Sequence, residues 1–62
     1  MKQVKLTKTN EGVEFWLKND DDLPSYIRGE FVVKEQGYKV YPGGKRDQAK
    51  VFKKDRKVWV KF

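Results

Sequence analysis

Apolar and polar residues alternate with a period of two through most of this chain, and glycine-bearing turns interrupt the alternation. Successive side chains on a strand point to opposite sides, so this pattern calls for short antiparallel strands with one buried face rather than amphipathic helices. Three hairpins follow from it. In the first, Val4 and Leu6 alternate on one strand and Val13, Phe15 and Leu17 on the next, across Thr9-Asn10-Glu11-Gly12. A four-residue loop there pairs Leu6 with Phe15 and Val4 with Leu17, which puts these apolar side chains on one face.

In the second hairpin, Glu30 to Glu35 and Tyr38 to Tyr41 flank a Gln36-Gly37 turn, so that Phe31, Val33, Tyr38 and Val40 share a face. Pro42-Gly43-Gly44 ends the second strand, because proline cannot donate to a ladder and two glycines make a corner. The third hairpin runs from Ala49 to Lys54 and from Lys57 to Phe62 around Asp55-Arg56. A two-residue turn sets Val51 opposite Val60 and Ala49 opposite Phe62 on the inner side, with Phe52 opposite Trp59, Lys50 opposite Lys61 and Lys54 opposite Lys57 on the outer.

Between the first two hairpins, Asp22 can cap a short helical turn, with Pro24 in its first turn and Gly29 at its end. Leu23, Tyr26 and Ile27 then fall at helical spacing. The expected fold class is all-β with this one short helical turn. Five or six short strands in about 60 residues suggest a curved antiparallel meander or a small, partly open barrel of the SH3-like or OB-like kind.

The chain has 62 residues, which bounds it to one domain, residues 1–62, near the lower size at which a core is sufficient by itself. It has neither cysteine nor histidine, so disulfides and zinc sites of the usual kind do not enter. The beginning, Met1 to Lys8, has no continuous apolar run, and neither a signal peptide nor a membrane span is expected; with no cysteine, the default compartment is the cytoplasm.

Fifteen Lys and Arg against nine Asp and Glu leave a net charge of +6. The distribution is uneven: residues 1–37 carry six basic and seven acidic side chains, and residues 38–62 carry nine basic and two acidic ones. The outer face of the third hairpin concentrates that excess as Lys50, Phe52, Lys54, Lys57, Trp59 and Lys61. Exposed rings among facing lysines suit an anionic partner with aromatic groups, and nucleic acid meets both requirements: phosphates neutralise the lysines while bases stack on the rings. Lys45 and Arg46 extend the phosphate track, and Tyr41 and Trp16 add rings.

Single strands are favoured over duplex, and recognition without sequence preference is expected, because only Arg28, Arg46 and Arg56 offer guanidinium groups for reading base edges. The alternative partner is an acidic protein surface, with the chain acting as a small inhibitor or adaptor. A plainer reading of the same face is a core that takes in Phe52 and Trp59, leaving the lysines as a snorkelling fringe. The strand from Lys57 to Phe62, if left at an edge, could also pair with a second copy.

Catalysis has little to draw on. One serine, no histidine, no cysteine and no G-x-x-x-x-G-K-[ST] motif argue against an enzyme and against a nucleotide cofactor. Asp20-Asp21-Asp22 lacks the spacing of a calcium loop and reads as a solvated turn, so no metal is expected.

Overall fold

The computed structural model describes residues 1–61. Within them the chain forms six strands, β1 (Lys2–Lys5), β2 (Glu14–Phe15), β3 (Tyr26–Val32), β4 (Gly37–Pro42), β5 (Lys50–Lys53) and β6 (Lys57–Val60). Single 3-10 turns occupy Leu6–Lys8, Val33–Glu35 and Arg46–Gln48. Among the described residues no helix is long and apolar enough to cross a membrane. The protein is all-β, as the alternation requires.

The strands make two antiparallel sheets, β2-β3-β4-β5 and β1-β6. They are tied where Trp16, just beyond β2, bridges Trp59 on β6 through two backbone hydrogen bonds of 2.8 Å. No ladder joins β5 to β1, so the sheets stay open instead of closing into a barrel. The core between them holds Leu6, Phe15, Tyr38, Val40, Val58 and Val60, with Val4, Val13, Leu17, Tyr26 and Phe52 packed against it. Phe15 is its centre, stacked on Tyr26 at 5.6 Å and meeting Phe52 edge-on at 6.4 Å.

The first expected hairpin is absent as a pair, although its apolar side chains do meet in the core. β1 pairs with β6, setting Val4 opposite Val58, while β2 pairs with β3, setting Phe15 opposite Tyr26. The expected helical turn between Asp22 and Gly29 is also overturned, because Tyr26–Val32 is the longest strand of the protein. Tyr26 stacks on Phe15 only if its backbone is extended beside β2, and that burial outweighs a weak capping signal. The local turn is instead made by Asp20, whose carboxylate accepts from the Asp22 N–H at 3.0 Å.

The second hairpin forms with a shifted register. Val32 lies opposite Gly37 and Phe31 opposite Tyr38, and the link is the 3-10 turn ending at Gln36 in the left-handed region, φ 50°. Pro42 ends β4, and Gly43 and Gly44 both take positive φ at the corner that follows. The third hairpin does not form. β5 pairs with β4 and β6 with β1, so the chain changes sheets across Lys54–Arg56 instead of doubling back. The Ala49–Phe62 pairing expected with it falls outside the described residues.

A dimer through a free β6 edge loses its premise, because β6 has β1 on one side and Trp16 on the other. The edges that remain, β1 and β5, each begin and end in lysine, a common guard against strand-to-strand self-association.

Gly37 holds β5 in place. A Cβ there would fall inside contact distance of the Phe52 carbonyl oxygen and 3.0 Å from its carbonyl carbon, both backbone atoms of the neighbouring strand. Gly37→Ala is therefore expected to cost about 1–3 kcal/mol by forcing β4 and β5 apart, read as a lower urea midpoint. An unchanged midpoint would mean that β5 does not dock at this distance.

Candidate nucleic-acid interface

The separation of β5 from β6 decides which expected site residues come together. On β6 the pleat is as expected, with Val58 and Val60 buried and Trp59 half-buried on the opposite side. On β5 it is reversed. Phe52 lies opposite Tyr38 and turns inward, while Val51 is 42% exposed. Either parity of Lys50-Val51-Phe52-Lys53 buries one apolar side chain, and the core takes the larger. Phe52 therefore does not face Trp59; it fills the core and is covered by Arg56, whose guanidinium lies 4.4 Å from the ring centre.

The other expected residues scatter. Trp16 is only 4% exposed, donates its indole N–H to the Leu23 carbonyl at 3.1 Å, and is covered by Lys61 at 5.3 Å, so it offers no ring for stacking. Lys61 is further engaged by Asp21 at 3.7 Å. Tyr41 is 8% exposed, lying against Gly29 on the outer side of β3 and β4 with Arg46 above it at 4.8 Å. Lys45 and Lys50 are exposed but belong to the corner after β4 and to β5, apart from the β1-β6 sheet.

What the fold assembles is the outer face of β1 and β6. Val4 and Val58 point inward as a pair, which turns the neighbouring pairs outward: Gln3 opposite Trp59, and Lys5 opposite Lys57. Like charges directly opposite one another across antiparallel strands are destabilising. Among the described residues neither lysine has a carboxylate within ion-pair distance, the two ion pairs being Lys39–Glu30 at 3.3 Å and Lys61–Asp21. A half-buried indole stands beside this pair.

Past the end of β1, the link between β5 and β6 carries two further cations, Lys54 and Arg56. Leu6 donates its N–H to the Arg56 carbonyl at 2.8 Å and Thr7 to the Lys54 carbonyl at 3.0 Å, which holds the Lys54–Arg56 link against the 3-10 turn. The Thr7 hydroxyl then meets the Tyr38 hydroxyl at 3.2 Å. That hydrogen bond, with the positive charges of Arg28 and Lys54 and against the opposing effect of burial, holds the Tyr38 phenol below its ordinary value. Arg56 and Lys54 thus lie by the core-side rings of Phe52 and Tyr38, whereas Lys5, Lys57 and Trp59 face outward.

Gln3 and Lys5 are the residues of this face that hairpin reasoning missed. The alternation of β1 does place Gln3 and Lys5 on one face, but nothing local identifies β6 as its partner. Comparison with protein-family models, curated proteins and solved structures finds no match to this chain.

Proposed function

We propose that this protein is a small nucleic-acid-binding module that holds single-stranded DNA or RNA along the outer face of β1 and β6 without sequence preference. The observation that carries the reading is the in-register Lys5–Lys57 pair. Two ammonium groups face each other with no carboxylate beside them among the described residues, next to the half-buried Trp59. A phosphate at each converts a repulsion into two attractions and releases counterions, while the indole offers a surface for one base. Lys57 and Trp59 remain from the expected set, and Lys5 and Gln3 replace Lys50 and Phe52. Binding, not catalysis, is the proposed activity, and the absence of cysteine suits a reducing cytoplasm.

The test is the salt dependence of binding to a fluorescein-labelled oligothymidylate of about ten nucleotides, a length within the usual site size. Contact with about three to five phosphates predicts a log–log slope of about −2 to −4 for a single strand. Absence of binding at low salt would overturn the reading and leave the same lysines to an acidic protein surface.

A further inference from the structure

Arg28 is the one described residue with a buried side-chain nitrogen that lacks a partner: its Nε is sealed from solvent and finds no acceptor. Buried N–H groups are nearly always paired, and one on a charged side chain is costly to leave alone. Its guanidinium lies 3.9 Å above the Tyr38 ring, and no carboxylate among the described residues forms an ion pair with it. Arg28 as a residue is half-buried, so an anion can neutralise the group without reaching Nε itself.

The surroundings favour one kind of anion. Phe31 meets Tyr38 edge-on at 5.1 Å and is 41% exposed, an unusual position for a ring on the inward side of β3. Lys54 adds its charge at Tyr38, and the Thr7 hydroxyl is within hydrogen-bond distance of the same phenol. An open ring beside an uncompensated guanidinium and a lysine matches a base attached to a phosphate.

We propose that Phe31, Arg28 and Lys54 form a nucleotide subsite, with the base stacked on Phe31 and its phosphate held by Arg28 and Lys54. This rests on the nucleic-acid reading above. A guanidinium presents planar paired donors to a phosphate, which an ammonium group does not, so Arg28→Lys is informative even though charge is kept.

Thymidine 5′-monophosphate, thymidine and inorganic phosphate are titrated separately against the labelled protein by NMR, following the Phe31 ring protons and the Arg28 Nε–Hε signal. The monophosphate is expected to move both, and to bind at least about tenfold more tightly than thymidine or phosphate alone. Arg28→Lys and Phe31→Ala are each expected to weaken it about tenfold. Phe31→Ala removes an exposed ring and keeps the fold available if Arg28→Lys does not. Monophosphate shifts confined to Lys5, Lys57 and Trp59 would overturn the subsite and spare the interface. Loss of oligothymidylate binding as well would overturn both. A short polyglutamate peptide that moves Phe31 and Arg28 more strongly than the monophosphate would overturn the subsite in favour of an acidic protein.

Discussion

Phe15→Ala is expected to remove about a third or more of the protein's stability at 25 °C. Phe15 is fully buried, and its ring is where three strands of the larger sheet meet: it lies on β2, stacks on Tyr26 of β3 at 17° between ring planes, and receives the edge of Phe52 from β5 at 67°. Tyr26 and Phe52 themselves are 5.4 Å apart, so removing the third ring leaves the other two around a hole. Truncating a buried phenylalanine costs about 3–5 kcal/mol. At about 0.05–0.15 kcal/mol per residue, a chain of this size has only about 3–9 kcal/mol in total. With a urea slope near the low end, about 1 kcal/mol/M, the midpoint should fall by roughly 3 M or more. Tryptophan fluorescence can follow it, because the Trp16–Trp59 bridge joins the two sheets and is lost on unfolding. A midpoint within about 0.3 M of the parent protein would show that the three-ring cluster is not the centre of the core.

That cluster also shows what the sequence carries and what it leaves open. Burial of Leu6, Phe15, Val40, Val58 and Val60 follows from alternation, and so does the end of β4 at Pro42, because both depend on near neighbours. Pairing does not. β1 and β6 lie at opposite ends of the chain, and the sequence of β1 is as compatible with β2 as with β6. Across Lys54–Arg56 the ambiguity concerns a single residue: a two-residue turn faces Val51 inward, a three-residue link faces Phe52 inward, and Asp55-Arg56 has no glycine to settle the count. The whole expected lysine-and-ring face depended on that count. The site is therefore only partly legible, keeping Lys57 and Trp59 from the expected set.

The division of labour between the cations points the same way. Each of the three arginines covers a ring of its own protein, Arg28 on Tyr38, Arg46 on Tyr41 and Arg56 on Phe52. A weakly hydrated planar guanidinium is suited to lying on a ring, whereas a strongly hydrated ammonium group gains more from a phosphate at the surface. Two of these arginines thus serve as lids on half-open aromatic clusters, and Arg28 alone combines that role with an unpaired nitrogen. On the proposed reading, the face left for a polyanion is then written in lysine, which favours charge over base identity.

Neutralising the facing pair separates binding from folding. Lys5→Gln combined with Lys57→Gln removes two phosphate contacts and should flatten the salt slope by about 1.4. If counterion release ceases to drive binding near about 1 M salt, the loss at about 50 mM is roughly 60-fold in affinity. The same double substitution relieves a like-charge pair directly opposite across antiparallel strands, so stability should rise by about 0.2–1 kcal/mol. The two effects have opposite signs, and a variant that is merely damaged cannot mimic them: a weakened fold would lose both together. Oligothymidylate affinity is read by fluorescence anisotropy and stability by urea unfolding on one preparation. Unchanged affinity in a double variant with an intact or higher midpoint would remove Lys5 and Lys57 from the interface, and with them the reason for the fold to set two lysines face to face.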